Sequence, residues 1–381
     1  MTYAKNNKLL IVANVDWFFI SHRLCIAEQA VKDGWDVYVA AEDTGRSIEI
    51  SNKGISFINL PFSRSGTNPL TELSTLRNFK KIYKKLQPDV VHHVTLKPVI
   101  YGSIVARILK IKGVLNAVSG LGYNFTGHNK SNVAKVMIYL MKRGFNRQNV
   151  AFIFQNKDDY NELQHLKVLR KSNLINYIKG SGVDLNKFKQ TIEPQEGRIK
   201  VLFPVRMLWD KGVAELREAS RILKNKYKDT LQFIIVGLAD TENKAGVNAA
   251  YLHDWEDGDF VTWLGYQKDM VTIYNDSHIV VLPSYREGMP KTLIEACAVG
   301  RPIVTTHAIG CRECVDEGVN GFKVPVKSTQ ELAKAIEKLI LDKELRIEMG
   351  RKSRIKAEKE FDQKKVVSNH IKIYNQLYAT K

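Results

Sequence analysis

The chain has 381 residues, 44% of them hydrophobic, and a formal net charge of +18. That length suits two domains of ordinary size, and that apolar fraction supports packed cores and excludes a disordered chain. No apolar run reaches the roughly 20 residues of a membrane-crossing helix, and four cysteines are too few for a disulfide scaffold.

From the amino end, Leu9 to Ile20 is apolar but broken by Asn14 and Asp16. It reads as a first strand and its loop, not as a signal peptide. Further strands are expected at 37–40, 56–60, 90–94 and 150–154, with helical patterns at 21–33, 73–86 and 98–110 between several of them. This alternation implies a mostly parallel sheet covered on both faces. Residues 190–197 are polar, with Pro194 and Gly197, and mark a linker. A first domain is therefore expected over 1–190 and a second over 191–362. The second repeats the theme, with strands at 199–204, 232–237, 260–264, 279–282 and 302–305. A helical stretch from Lys327 places Leu332, Ile336, Leu339 and Ile340 on one face.

Charge is uneven. Residues 1–195 hold 28 Lys and Arg against 14 Asp and Glu, and the remainder holds 30 against 26. A basic half suggests a polyanionic partner. No nucleic-acid motif is recognisable, so an anionic membrane surface is the expected partner rather than nucleic acid. Two stretches, 76–86 and 133–145, mix apolar residues with Lys and Arg as interfacial helices do. A core helix with a solvated basic face has the same pattern.

The chemistry concentrates in the second half. The strand ending at Val205 is followed by Arg206-Met207-Leu208-Trp209-Asp210-Lys211-Gly212. A guanidinium fork and an ammonium straddling a strand end suit a diphosphate. The strand at 279–282 is followed by Ser284-Tyr285-Arg286-Glu287-Gly288-Met289-Pro290, and Glu295 comes eight residues after Glu287. Pro290 fits a first helical position. Glu287 then sits in the loop above the sheet and Glu295 about one turn into the helix. A helix opening at the carboxyl end of a strand offers free N–H groups to a phosphate. Either glutamate alone is also what an ordinary solvated loop carries.

Arg206 with Lys211-Gly212, and Glu287 with seven residues before Glu295, resemble the donor site of the retaining family-four glycosyltransferases. Gly182-Val183-Asp184 and Gly310-Cys311-Arg312-Glu313 add to the likeness, which spans nearly the whole chain. Within the family the motifs look most like bacterial enzymes that extend lipid-linked oligosaccharides. The resemblance implies the GT-B fold, two α/β Rossmann-like domains facing across a cleft, with a last helix (363–381) returning to the first domain. It implies a UDP-sugar donor and a lipid-linked saccharide acceptor. It also implies no metal or other cofactor, and a cytoplasmic location on the inner face of the membrane. Arg206, Lys211 and Glu287 are the expected catalytic residues. Glu295, Gly288, Met289, Pro290, Gly310 and Cys311 are the expected donor-binding residues. On the acceptor side the candidates are Asn14, Asp16, His92, His93, Gly120 and Gly122.

The first half departs from the family pattern. Asn14-Val15-Asp16-Trp17 replaces a glycine-rich loop, and His92-His93-Val94 replaces His-x-His. Successive strand residues face opposite ways, which puts an acceptor role for both histidines in doubt. Asp257-Gly258-Asp259 has the form of a cation-binding Asp-x-Asp, but Asp-Gly is a turn signal and a turn is favoured. Cys311 and Cys314 form a lone C-x-x-C with no second pair to make a zinc site. A sugar-nucleotide epimerase of the same fold and a non-catalytic sugar-nucleotide-binding scaffold are the competing readings. A dinucleotide oxidoreductase is disfavoured, since no G-x-G-x-x-G follows the first strand.

Overall fold

The computed structural model describes residues 7–61, 69–121, 132–240, 243 and 245–380. They form two compact units, Met1–Ser181 with Lys364–Lys381, and Gly182–Gln363.

In chain order the first unit contains β1 (Lys8–Val15), α1 (Asp16–His22), α2 (Leu24–Lys32), β2 (Asp36–Glu42), α3 (Ser47–Ser51), β3 (Ser56–Asn59) and α4 (Pro69–Leu86). It continues with β4 (Val90–Val94), α5 (Leu96–Ile108), β5 (Gly113–Val118), α6 (Asn132–Gly144), β6 (Val150–Phe154), α7 (Lys157–His165) and β7 (Leu174–Tyr177). The sheet order is β3-β2-β1-β4-β5-β6-β7, and every pairing is parallel. All residues of β4, β5 and β6 are buried, as a sheet with helices on both faces requires. The period of two is visible in β1. Leu9, Ile11 and Ala13 enter one core, and Leu10 and Val12 enter the other, beside Phe79, Tyr83 and Phe152.

The second unit contains β8 (Ile199–Pro204), α8 (Val213–Tyr227), β9 (Leu231–Val236), α9 (Ala249–Trp255), β10 (Val261–Trp263), α10 (Met270–Asn275) and β11 (Ile279–Leu282). Then follow α11 (Lys291–Val299), β12 (Ile303–Thr306), β13 (Gly321–Val324), α12 (Thr329–Leu341), α13 (Lys343–Lys356) and α14 (Gln363–Ala379). Its strand order is β10-β9-β8-β11-β12-β13, again wholly parallel. From Lys364 onward α14 belongs to the first unit. There Val366, Ile371, Ile373, Tyr374 and Leu377 fill the core beneath β1 and β4.

Each sheet reverses its winding once, between β1 and β4 and between β8 and β11. Helices leave on opposite faces at such a point, so a crevice opens outside the carboxyl ends of the two strands. The candidate donor residues follow β8 and β11.

Candidate active site

The loop after β8 and the loop after β11 are tied together by their backbones. Tyr285 N donates to Asp210 O at 2.8 Å, and Ser284 Oγ lies 3.1 Å from the same oxygen. Gly212 makes this approach possible. Its φ is +77°, and a Cβ there would lie 2.3 Å from Pro283 O. Lys211 then reaches across and donates from Nζ to Glu287 Oε1 at 2.7 Å. Ser284 Oγ donates to that same carboxylate oxygen at 2.9 Å, whereas Oε2 accepts no bond among the described residues.

A third loop, after β12, closes against the second. Glu287 N donates to Ile309 O at 2.9 Å. Gly310 has φ +84°, and a Cβ there would sit 2.5 Å from Glu287 O and 2.7 Å from Gly288 O. The three loops thus converge on one cation and one carboxylate, with the glycine backbone packed between. Burial works against the charge on Lys211, but Glu287 and Asp210 outweigh it and raise its pKa above the ordinary value. It stays an ammonium.

Arg206 lies at the mouth, about half exposed, with its guanidinium on Asp240 at 2.8 Å. Pro290 caps α11 with φ −71° and ψ 117°, and the helix proper begins at Lys291. Glu295 is nearly buried on α11; burial raises its pKa, opposed by Lys291 at 3.7 Å. Met289 is buried, its sulfur 3.5 Å from Cys314 Sγ. Burial pushes the Cys311 and Cys314 thiols up, which disfavours the thiolates that redox or metal chemistry uses. The Cys311 side chain is wholly buried.

The acceptor-side candidates lie in the first unit. Asn14 Oδ1 accepts from Thr95 Oγ1 at 2.8 Å. Asp16 is wholly buried and accepts from the amides of Trp17 at 2.6 Å, Thr44 at 2.7 Å and Arg46 at 2.9 Å, and from the Thr44 hydroxyl. Its carboxylate anchors the loop after β2. His92 and His93 are also fully buried and point to opposite faces of β4. His92 Nδ1 meets Tyr374 Oη at 2.7 Å. His93 lies between Tyr83 Oη and Asn116 Oδ1, each at 2.7 Å. Burial pulls His92 well below the usual range and His93 to about 4, so both rings are neutral and neither is open to a ligand. Gly120 has φ +114°, and Gly122 lies outside the described residues.

Sequence reasoning missed Ser284, whose hydroxyl joins Glu287 to the loop of Asp210. It also missed Thr95, a β-branched residue at φ +74° and ψ 162°. Only glycine is at ease there, and no local sequence signal marks it. Asp257-Gly258-Asp259 forms a turn. Burial would raise the Asp257 pKa, but Lys224 and the Val261 and Asp259 amides hold it down to about 2. Asp259 pairs with Arg198 at 2.8 Å, so both carboxylates already have partners.

The family model for glycosyl transferases group 1 matches residues 184–356, and that for glycosyl transferase 4-like proteins matches residues 8–156. The chain belongs to these glycosyltransferases. A curated relative from Campylobacter jejuni is 28% identical, covering 92% of this chain and 93% of its own. It is an N,N'-diacetylbacillosaminyl-diphospho-undecaprenol alpha-1,3-N-acetylgalactosaminyltransferase. A UDP-Gal:alpha-D-GlcNAc-diphosphoundecaprenol alpha-1,3-galactosyltransferase from Escherichia coli is 23% identical over 82% of each chain. Among solved structures, sucrose-phosphate synthase from Thermosynechococcus elongatus superposes with a TM-score of 0.81 at 19% identity, covering 99% of this chain and 100% of that one. HepE of Anabaena in complex with UDP-glucose gives 0.77 at 19% identity, covering 98% and 100%. The fold of this glycosyltransferase is GT-B.

Proposed function

We propose that this glycosyltransferase moves a hexose or N-acetylhexosamine from a UDP-sugar, with retention, to a polyprenyl-diphosphate-linked saccharide at the inner face of the cell membrane. The observation that carries the reading is the Lys211–Glu287 pair at the switch point of the second sheet, with the Gly310 loop closed over it. In the reaction, the bond from the anomeric carbon to the diphosphate breaks, a bond to the acceptor oxygen forms, and the proton of that hydroxyl passes to the departing diphosphate. Negative charge grows on the departing diphosphate, and fixed cations there lower the barrier. Lys211 supplies one and the α11 amino end adds its free N–H groups. Arg206 supplies a second by exchanging Asp240 for a phosphate oxygen. Glu287 Oε2 accepts a hydroxyl of the transferred sugar, and Glu295 faces the ribose.

The acceptor class is supported by the Campylobacter jejuni and Escherichia coli relatives, whose names carry undecaprenyl-diphosphate-linked sugars. The direct test incubates the protein with a panel of UDP-sugars and a polyprenyl-diphosphate saccharide, reading product by mass spectrometry and its anomeric configuration by NMR. A glycosylated lipid with retained configuration is expected. A new sugar nucleotide formed without acceptor would make the protein an epimerase instead. Tight nucleotide binding without turnover across the panel would leave only a scaffold.

A further inference from the structure

From Val90 to Lys157 the chain has no Asp or Glu and ten Lys and Arg. That stretch runs from β4 through β6 and builds one flank of the first unit. At the amino ends of β5 and β6, away from the carboxyl ends where Asn14 and Thr95 lie, it borders an open depression of about 420 Å³ together with Thr380 at the end of α14. Arg107, Lys110, Lys112, Arg147, Gln148 and Asn149 line it. Arg147 is the floor, its guanidinium donating to the carbonyls of Ala106, Ile111 and Lys112. Arg107 bonds the carbonyl of Arg143 and so joins the ends of α5 and α6. Among the described residues, neither Arg107, Lys110 nor Lys112 has a carboxylate within ion-pair distance. An open site with four cations and, among the described residues, no carboxylate paired to them attracts an anion.

The surface beside the pocket is apolar in part. Ile108, at the end of α5, is 61% exposed, and Val133, Val136 and Tyr139 on α6 are exposed as well. Lys135, Lys142 and Arg143 share the open side of α6. Arg143 lies over the Tyr139 ring at 5.2 Å and Lys112 over that of Tyr378 at 4.0 Å, and apolar side chains interleaved with cations in this way suit a bilayer interface.

We propose that this flank docks on anionic phospholipid, with the Arg107–Lys110–Lys112 pocket taking a headgroup phosphate and Val136 and Tyr139 entering the acyl boundary. This rests on the reading of a membrane-bound acceptor and names a surface that would hold the protein on the same bilayer. The site is separate from the crevices at the strand carboxyl ends, so it can be altered without touching the transfer machinery.

The test compares the whole protein with Arg107→Gln/Lys110→Gln/Lys112→Gln in co-sedimentation with phosphatidylglycerol–phosphatidylcholine vesicles. A basic residue at such a surface contributes about fivefold in affinity, so the triple change should cost roughly a hundredfold. Neutralising three exposed lysines of α4 instead (Lys81, Lys84 and Lys85) should cost less than a tenth of that. Val136→Ser/Tyr139→Ser should weaken binding at high salt, where charge attraction is screened. Transfer to a short-chain, water-soluble acceptor should be unchanged in every variant. If it is lost in the wild type as well while vesicle binding persists, the proposed activity fails and the docking site stands. Equal losses from the pocket and α4 variants would overturn the site, as would unchanged binding of the pocket variant. Saturation by inorganic phosphate with no vesicle binding would also overturn it, as would tighter binding to RNA than to vesicles. Should the triple variant fold poorly, Lys110→Glu on the exposed rim gives the same readout.

Discussion

Replacing Lys211 by Met strands a carboxylate, and its effect can be worked from the burial of the pair. The Lys211 and Glu287 side chains are only 16% and 18% exposed. Exposed ion pairs contribute about 0–1 kcal/mol, while removing one partner of a buried pair costs about 3–5 kcal/mol, because the other charge is left uncompensated. At this intermediate burial, Lys211→Met should destabilise the second unit by about 2 kcal/mol. Lys211→Met/Glu287→Gln leaves no bare charge and should cost about 1 kcal/mol less than the single change. Urea unfolding followed by the fluorescence of Trp209, Trp255 and Trp263 measures this. The pH dependence has a definite sign. The folded pKa of Lys211 is raised above 10.5, so its stabilisation is complete below that value and disappears as pH rises through the folded pKa. The advantage of the wild type over the double variant should therefore shrink above pH 10.5. A bond to a charged group contributes about 1.5–3 kcal/mol, so Lys211→Met should also weaken UDP-sugar binding by about 10- to 150-fold in calorimetry. A single variant as stable as the wild type, or more stable than the double, would refute the electrostatic account of the pair. Unchanged donor affinity would remove Lys211 from the donor site.

Gly310→Ala should weaken UDP-sugar binding more than it lowers stability. Its Cβ meets the Glu287 backbone at 2.5 Å and the left-handed φ of +84° alone costs roughly 1–2 kcal/mol, so the loop carrying Glu287 must move. An unaltered nucleotide affinity in thermal-shift titration would count against a rigid loop closure. Asp16→Asn should destabilise the first unit at neutral pH and much less in acid. The four bonds that the carboxylate accepts outweigh its burial and lower its pKa below 3.8. Its stabilisation is thus present above that value and is lost as pH falls through the lower folded pKa. Parallel stability curves for the two proteins between pH 6 and 2.5 would contradict this.

Much of the fold was legible because buried parallel strands announce themselves as short apolar runs. The expected strands at 90–94, 150–154, 199–204 and 279–282 coincide with β4, β6, β8 and β11. Three strands were not anticipated, β5, β7 and β13. β5 contains Asn116, a poor strand residue, which is buried with His93 and Ser103 on its side-chain oxygen. β13 opens with Gly321, where a Cβ would lie 2.0 Å from Ile303 O on the neighbouring strand, so its glycine reads as a break until β12 is alongside.

The sequence by itself determined the alternating pattern of two parallel α/β sheets and the identity of the charged groups that follow β8 and β11. It also required that His92 and His93 could not share a face, because strand periodicity is local. Tertiary structure alone decided which acids are ligand candidates and which are anchors. Asp16 and Glu287 both follow a strand, yet Asp16 is consumed by the amides of a loop 28 residues away, whereas Glu287 keeps an oxygen open beside Lys211. Hydrogen-bond satisfaction depends on what the rest of the chain brings within 3 Å, and no local spacing encodes that.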